Sequence, residues 1–316
     1  MIQGAGPSRT TDVRASTLAV RSLDHFSLAV PDLEAAARFY GRFGLGAQNV
    51  ADGLQIDAAA RRVARIREAP RRRLEYVSFD LDVEDAPAFV RRLEAGGIEV
   101  LEPPRFSERE ALWFRDCDGV LIEAAVRRAA PASAKSTMEV RIAPEGARRA
   151  TDADSLTKPH RLGHIFRFTP DVPRAIAFYE RFLGLLVADR SGDIVAFLYS
   201  PHGSDHHIIA FARSARPGFH HASFEVPSVD AIGMGAMHMA QDGYTEGWGF
   251  GRHEAGSNFF HYVRDPWGSF AEYFCDMDYI PAGCAWEPRD IAPERALHLW
   301  GPVVPAYFLE NFEEHA

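Results

Sequence analysis

The sequence predicts an α+β fold in which two homologous domains each contain two modules of strands and one helix. Its 316 residues are enough for two domains of ordinary size. The stretch DHFSLAVPDLEAAARFYGRFGLG (24–46) aligns without a gap with GHIFRFTPDVPRAIAFYERFLGL (163–185), so the chain contains an internal repeat. In both stretches a strand pattern leads into an amphipathic helix, which indicates helices that cover one face of a sheet.

Each repeated helix begins after an aspartate that can cap its N-terminus, Asp32 in the first copy and Asp171 in the second. The residues at helical spacing are mostly apolar in both copies, which predicts that one face of each helix is buried. Those residues are Leu33, Ala36, Phe39, Tyr40 and Phe43 in the first copy, and Val172, Ala175, Phe178, Tyr179 and Phe182 in the second.

The second half of each copy repeats as well. LEYVSFDL (74–81) aligns with FHHASFEV (219–226), and DCDGVLIEAA (116–125) aligns with DPWGSFAEYF (265–274). Four modules therefore begin near residues 22, 74, 160 and 217. We expect mostly antiparallel strands with the helices outside.

These repeats divide the chain into five segments. Residues 22–126 and 160–283 are the two expected domains, joined by a linker at 127–159 that is rich in Ala, Pro, Ser and charged residues. A loose N-terminal tail is expected at 1–21. The C-terminal segment 284–316 is expected to lie near the mouth of the second domain, where its aromatic residues would shape a pocket, pack internally or form a subunit contact. These aromatic residues are Trp286, Trp300, Tyr307 and Phe308.

Composition and charge exclude several classes of function. A net charge of -9 opposes binding to nucleic acid, whose phosphates attract a basic surface. The local exception, Arg61 to Arg73 with seven arginines, is interpreted as a solvated, salt-bridged surface of a helix or loop. No apolar run approaches the roughly 20 residues of a membrane span, and the opening residues lack the apolar core of a signal peptide. Three cysteines at no metal-finger spacing favour a reducing, cytoplasmic location.

Histidine is concentrated in the second half of the chain. Of thirteen histidines, only one precedes residue 160. Three C-terminal residues that can bind a metal fall at repeat-equivalent positions: His164 opposite His25, His221 opposite Tyr76, and Glu272 opposite Glu123.

Two histidines and one carboxylate from three strands form the ligand set that holds Fe(II) or Mn(II) and leaves positions open for substrate and oxygen. A lone strand histidine is more commonly structural and a lone strand glutamate is more commonly solvated, so the prediction depends on the coincidence of three residues. Strand alternation favours His221 over His220, because His220 shares its face with Ala222 and Val226 on the expected core side. Tyr76 breaks the ligand set, so the first copy is expected to bind no metal.

Other residues of the C-terminal half can exchange a proton or bind a phenolate near neutral pH: His206, His207, His253 and Tyr262. Strand alternation does not separate His206 from His207. The tetrapeptide Asp265-Pro266-Trp267-Gly268 is predicted to form a hairpin turn before the strand of Glu272.

The segment from Gly251 to Glu272 resembles a motif of the type I extradiol ring-cleavage dioxygenases of the vicinal oxygen chelate superfamily. The motif has Gly-x-His, an apolar residue followed by Tyr, Asp-Pro-x-Gly and then Glu. This sequence has His261 where the family has an aliphatic or aromatic residue, and as the neighbour of Tyr262 it is expected to face away from the site. The matching residues are Gly251-Arg252-His253, Tyr262, Asp265-Pro266-Trp267-Gly268 and Glu272.

The resemblance covers about residues 22 to 290 and implies both a fold and a metal. The implied fold has four βαβββ modules paired into two open barrel-like domains, with the metal in the second. The implied metal is Fe(II), bound by His164, His221 and Glu272, with O2 as co-substrate. Mn(II) accepts the same ligands.

The resemblance also implies roles for other residues. The family's acid–base histidine precedes an x-x-Ala step, which selects His207 ahead of His206. His253 and Tyr262 match the family's substrate-binding and proton-handling pair. The implied pocket residues are Phe166, His206 and Ala210.

The implied activity is extradiol cleavage of a small catechol-type aromatic diol with insertion of both atoms of O2. The product would be a hydroxymuconic semialdehyde, formed in the degradation of aromatic compounds. The same resemblance leads us to expect a homo-oligomer. The alternatives are a metal-dependent glyoxalase-like isomerase, a 2-oxo-acid dioxygenase and a non-enzymatic ligand-binding member of the superfamily.

Overall fold

The computed structural model describes residues 17–133, 135–140, 143–147 and 157–313. Residues 1–16 of the predicted N-terminal tail and part of the predicted linker lie outside the described residues. The elements of the first half are β1 Ser22–Val30, α1 Leu33–Arg42, β2 Gly46–Val50, β3 Gly53–Ala58, β4 Arg61–Glu68, β5 Arg73–Asp82, α2 Ala86–Ala95, β6 Ala111–Arg115 and β7 Leu121–Arg127.

The second half repeats this order with more strands. Helix α3 continues into a π-helical turn at Tyr179–Leu183. The elements are β8 Arg161–Thr169, α3 Val172–Phe178, β9 Leu186–Ser191, β10 Val195–Tyr199, β11 Ser204–Asp205, β12 Ile209–Arg213, β13 Gly218–Glu225, α4 Val229–Gln241, β14 Gly247–Arg252, β15 Phe259–Arg264, β16 Phe270–Cys275, β17 Tyr279–Ile280 and β18 Arg289–Asp290.

Two large open sheets carry all of these strands except β11 and β17, which pair with each other. The first has seven strands in the order β2-β3-β4-β1-β5-β7-β6, and the second has nine in the order β14-β15-β16-β13-β8-β12-β10-β9-β18. In both sheets the two strands that begin the modules are antiparallel neighbours, β1 with β5 and β8 with β13. The predicted α+β plan with mostly antiparallel strands is confirmed, although the sheets do not close into barrels and the second module has only two strands after its helix.

The predicted aspartate caps explain where the repeated helices begin. Asp32 accepts a hydrogen bond from the backbone NH of Ala35 at 2.9 Å, and Asp171 accepts one from Arg174 at 3.0 Å. The apolar faces of α1 and α3 then pack into one buried core that spans both halves. The two halves also meet directly, because Phe43 stacks on Tyr273 with ring centroids 3.7 Å apart.

Three further expectations can be compared with the structure. The arginine cluster is salt-bridged, for example from Arg61 to Asp24 at 2.9 Å, but its interpretation as a helix or loop is wrong because Arg61–Glu68 is a strand. The C-terminal segment supplies β18, which pairs in parallel with β9. None of the helices in the described part of the chain is long and apolar enough to cross a membrane.

Candidate metal centre and active-site cavity

Three adjacent strands of the second sheet bring the predicted ligands together. His164 lies on β8, His221 on β13 and Glu272 on β16, and β13 is the middle strand. Ser223 on β13 is paired with His164 on one side and with Glu272 on the other, so these residues form one row across the sheet. His221 lies two residues along β13 on the same face, which completes a triangle of side chains above the small Ser223.

The ligand atoms of this triangle converge. Nε2 of His164 lies 3.2 Å from Nε2 of His221 and 3.3 Å from Oε2 of Glu272, and the His221 and Glu272 atoms are 3.5 Å apart. Two ligands about 2.1 Å from one ion and at right angles are roughly 3 Å apart. The side chains are at most 3% exposed. Oε2 of Glu272 has no hydrogen-bond partner among the described residues, as expected of an atom arranged for a cation. The residues therefore fit a small divalent metal ion.

A cavity of about 310 Å³ opens beside the three ligand positions. Its walls are mainly apolar and aromatic, which is typical of a small-molecule site. The residues from β8 include Phe166 and Phe168, and the C-terminal segment closes one side with Pro293, Ala296, Leu297, Phe308 and Leu309. Of the predicted aromatic residues of that segment, Phe308 lines the cavity, whereas Trp286, Trp300 and Tyr307 are not among the described lining residues.

His207 lines the cavity next to the ligands, and its ring centroid is 4.2 Å from that of His164. His206 lies behind it: His206 contacts His207 through the Nδ1 atoms at 3.1 Å and Asp189 through Nε2 at 3.0 Å. His206 and Ala210, which were expected to be pocket residues, are not among the described residues that line the cavity. Ala210 packs in an apolar cluster with Phe197, and Phe197 itself lines the cavity.

His253 and Tyr262 form a hydrogen-bonded pair at the edge of the cavity. Nε2 of His253 is 2.9 Å from the Tyr262 hydroxyl, and Nδ1 of His253 is 2.5 Å from the backbone carbonyl of Leu297. A carbonyl only accepts, so Nδ1 carries the proton and Tyr262 donates to Nε2. Tyr262 lies directly opposite Glu272 in the β15–β16 pair. Its neighbour His261 is absent from the described cavity lining.

His220 does not lie on the core side of β13. The pairing of β13 with β8 shifts register between Phe219 and His221, and this bulge places both histidines at the cavity. Nδ1 of His220 is 2.6 Å from Nδ1 of His221, and its Nε2 is 2.7 Å from the carbonyl oxygen of Phe308. The prediction that His220 faces the core is therefore wrong, and strand alternation does not distinguish His221 from His220 as the ligand.

Burial and mutual contact shift the pKa values of the site. Burial lowers the pKa of His207 and of His221 well below the ordinary value, and burial lowers the pKa of His220 to about 4. Burial alone would raise the pKa of Glu272, but contacts with the surrounding imidazoles hold it well below its usual range. Burial and then the charge of Glu272 raise the pKa of Tyr262. At neutral pH the site therefore combines neutral imidazoles at His207, His220 and His221 with the Glu272 carboxylate and the neutral phenol of Tyr262.

In the first half, the guanidinium of Arg109 lies at the equivalent position. His25 and Glu123 flank Ser78 in one row, as His164 and Glu272 flank Ser223. Nη2 of Arg109 donates to Glu123 at 2.8 Å and to Asp24 at 2.6 Å. The hydroxyl of Tyr76 lies 2.9 Å from Nε2 of His25. In this copy a guanidinium and a phenol thus occupy the neighbourhood of the buried Glu123.

Neither the internal repeat nor the family motif predicted several residues that the structure places at the site. Asn258 donates to Oε1 of Glu272 at 3.3 Å, and Trp248 lines the cavity and donates to the carbonyl of Pro302 at 3.0 Å. The carbonyls of Leu297 and Phe308 contact two cavity histidines. Because backbone carbonyls are present at every position, the sequence does not distinguish these two.

Comparison with known proteins agrees with this geometry. A family model described as the Glyoxalase/Bleomycin resistance protein/Dioxygenase superfamily matches residues 22–124 and 161–273. The chain belongs to this superfamily. It is 45% identical over 298 residues to Metapyrocatechase 2 of Cupriavidus necator, covering 93% of each chain. The predicted resemblance to the extradiol dioxygenases of this superfamily is confirmed.

Two solved structures show how much of the chain has the same fold as known proteins. The Mn(II)-bound glyoxalase from Novosphingobium aromaticivorans superposes with a TM-score of 0.74 at 26% identity, covering 90% of this chain and 91% of that one. The 2,2',3-trihydroxybiphenyl 1,2-dioxygenase from Sphingomonas wittichii superposes with a TM-score of 0.71 at 17% identity, covering 90% and 99%. The paired-module fold therefore extends over nearly the whole described chain.

Proposed function

We propose that the protein is an extradiol ring-cleavage dioxygenase that opens a small catechol-type diol with O2 at an Fe(II) ion held by His164, His221 and Glu272. The observation that carries the proposal is the convergence of these three side chains, within 3.5 Å of one another, beside an apolar cavity. The relationship to Metapyrocatechase 2 supports the same reaction class.

The side chains around the cavity suit the proton steps of such a reaction. His207 is neutral and lies next to the ligands, so it would act as the acid–base group. Tyr262 and His253 would bind a substrate oxygen, because their hydrogen-bonded pair stands beside Glu272. Phe166 would form a wall for the ring, since its own ring stacks on His221 with centroids 5.0 Å apart. When bound, the metal would bring the diol oxygens and O2 to one centre.

The proposed metal is Fe(II), and Mn(II) is the alternative that the same ligands accept. The Mn(II)-bound glyoxalase among the structural relatives makes a metal-dependent isomerase the second candidate. The cavity favours the dioxygenase, because the His207, His253 and Tyr262 set supplies three groups able to handle the protons of a phenolic substrate.

The test begins with metal-free protein reconstituted anaerobically with Fe(II) or with Mn(II). Catechol and a panel of substituted catechols are then added in air while visible absorbance and oxygen uptake are recorded. We expect a yellow product and one O2 consumed per diol. A parallel assay of methylglyoxal with glutathione tests the isomerase. The matched control is His221→Ala, which should lose both metal and turnover, while His25→Ala should keep both.

The outcomes separate the candidates. A yellow product without thioester formation supports ring cleavage, and the more active metal identifies the cofactor. Thioester formation without oxygen uptake favours the isomerase. Failure of the wild-type protein to bind either ion would remove the proposed ligand set itself.

The remaining assignments are proposals of the same kind. Residues 22–126 would form a metal-free domain, 160–283 the catalytic domain, 127–159 the linker and 284–316 a cover for the cavity. Three free thiols suit a reducing cytoplasm. A homo-oligomer remains expected, and light scattering would measure its size.

A further inference from the structure

We infer that His220 is a positioning residue that fixes the tautomer and orientation of His221, and that the C-terminal segment anchors His220 through the backbone carbonyl of Phe308. This inference rests on the proposed metal site. It adds a part of the chain outside the repeated domains to the surroundings of the metal.

The direction of the two hydrogen bonds of His220 follows from the Phe308 carbonyl, which can act only as an acceptor. The Phe308 carbonyl only accepts, so Nε2 of His220, 2.7 Å away, must donate. A neutral imidazole then has an acceptor at Nδ1, which faces Nδ1 of His221 at 2.6 Å. Nδ1 of His221 must therefore donate, and the lone pair of His221 lies on Nε2. That atom is the one that faces His164 and Glu272 at 3.2 and 3.5 Å.

The surroundings hold this chain of contacts in place. His220 is 5% exposed, and its ring is packed by the aromatic rings of Phe166, Phe168, Phe270 and Phe308 at centroid distances of 4.8–5.3 Å. Phe308 is itself 3% exposed. The anchor therefore cannot exchange with bulk water without displacing the C-terminal segment.

The other histidine ligand lacks such support. Nδ1 of His164 is buried without a hydrogen-bond partner among the described residues. Metal-binding histidines ordinarily donate their second nitrogen to an outer partner, and loss of that partner typically costs about 10–100-fold in metal affinity. His221 is thus the ligand whose orientation the protein fixes.

A second histidine pair uses the same construction. His206 joins the carboxylate of Asp189 at 3.0 Å to Nδ1 of His207 at 3.1 Å. In both pairs the first histidine contacts an acceptor away from the ligand triangle and the second faces the site. The occurrence of the same arrangement in both pairs favours a positioning role for His206 and His220.

Two substitutions separate hydrogen bonding from packing. His220→Phe keeps an aromatic ring in an aromatic environment but removes the acceptor for His221. His220→Asn gives up the ring but can keep an acceptor near the Nδ1 position. His261→Phe is the control, because His261 is absent from the described cavity lining.

The first measurement is Mn(II) affinity, obtained by titrating each metal-free protein and following the electron paramagnetic resonance signal of free Mn(II). We expect His220→Phe to weaken binding about 10–100-fold, His220→Asn to restore most of that loss, and His261→Phe to match wild type. In ¹⁵N spectra of the metal-free wild type, Nδ1 of His221 should carry the proton, whereas His220→Phe should populate both tautomers.

Equal affinity of His220→Phe and wild type would overturn the inference while leaving the proposed metal site intact. Equal loss in the Phe and Asn variants would also overturn it, because packing alone would then explain the effect. If wild-type protein bound neither Mn(II) nor Fe(II), the proposed function would fail first.

Discussion

The N-terminal copy of the site should bind a metal ion once two residues of the C-terminal copy are transferred to it. Trp113 is paired with Glu123 as Tyr262 is paired with Glu272, so Arg109 and Asn258 stand at equivalent positions, each four residues earlier. The double variant Tyr76→His and Arg109→Asn therefore recreates the second ligand set around His25 and Glu123.

The expected loss of folding stability follows from the two buried carboxylates that lose Arg109 as their partner. Arg109 pairs with two carboxylates that are at most 5% exposed, and its own side chain is 26% exposed. Breaking a buried ion pair costs about 3–5 kcal/mol, so the lower end of that range is expected in the metal-free variant. A metal at 1,000 times its dissociation constant would return about 4 kcal/mol. The variant should thus be destabilised without metal and restored by it.

Metal analysis after dialysis and thermal unfolding with and without Mn(II) measure both effects. We expect about two ions per chain in the double variant, and one in wild type and in Tyr76→His alone. Tyr76→His combined with Arg105→Asn, an exposed arginine of the same segment, is the control. A second ion in Tyr76→His alone, or a single ion in the double variant, would refute the idea that the guanidinium excludes the metal.

Three further predictions concern catalysis, folding and pH. His207→Ala should keep its metal and lose about 10²–10⁴ in turnover, measured by metal analysis and oxygen uptake; loss of metal would contradict the acid–base role. Asp116→Ala should destabilise the protein by about 3–5 kcal/mol in urea unfolding, because it leaves the buried Arg167, now 2.6 Å from that carboxylate, without its partner. Burial lowers the pKa of His261 to about 4, so the folded state binds fewer protons than the unfolded state between pH 6.5 and 4. Stability should fall as the pH drops through that window, and should fall less steeply in His261→Phe; parallel profiles would contradict this.

The proposed ligand set could be predicted from the sequence because the fold repeats. A ligand triangle needs three residues that are distant in sequence, and a single strand pattern does not say which strands are neighbours. The repeat supplied that information, since His164 and Glu272 fall where His25 and Glu123 fall. The structure places both pairs across a central serine, Ser223 in one sheet and Ser78 in the other.

The differences between the expected and observed positions of His220 and His206 have local physical causes. Strand alternation fails at His220 because a bulge in β13 turns two consecutive side chains toward the same space. His206 was expected at the cavity, but it is not among the described lining residues, and its Nε2 contacts the buried Asp189. A bulge and a buried carboxylate partner both depend on the neighbouring strands, and the pattern along one strand does not reveal them.

The side chains around Glu123 and around Glu272 differ, and part of this difference comes from the C-terminal segment, which has no repeat in the first half. In the first half, Tyr76 and Trp113 are at most 2% exposed and pack with Phe106, so aromatic side chains fill the space beside Glu123. In the second half, histidine and tyrosine replace them, and the C-terminal segment covers a cavity of about 310 Å³ instead. Because that segment has no counterpart in the first half, the repeat that located the ligands could not locate the residues beyond them, including the carbonyl of Phe308 that contacts His220. The repeated strands thus set where the proposed ligand side chains stand, while the unique C-terminal segment lines one side of the cavity and contacts His220.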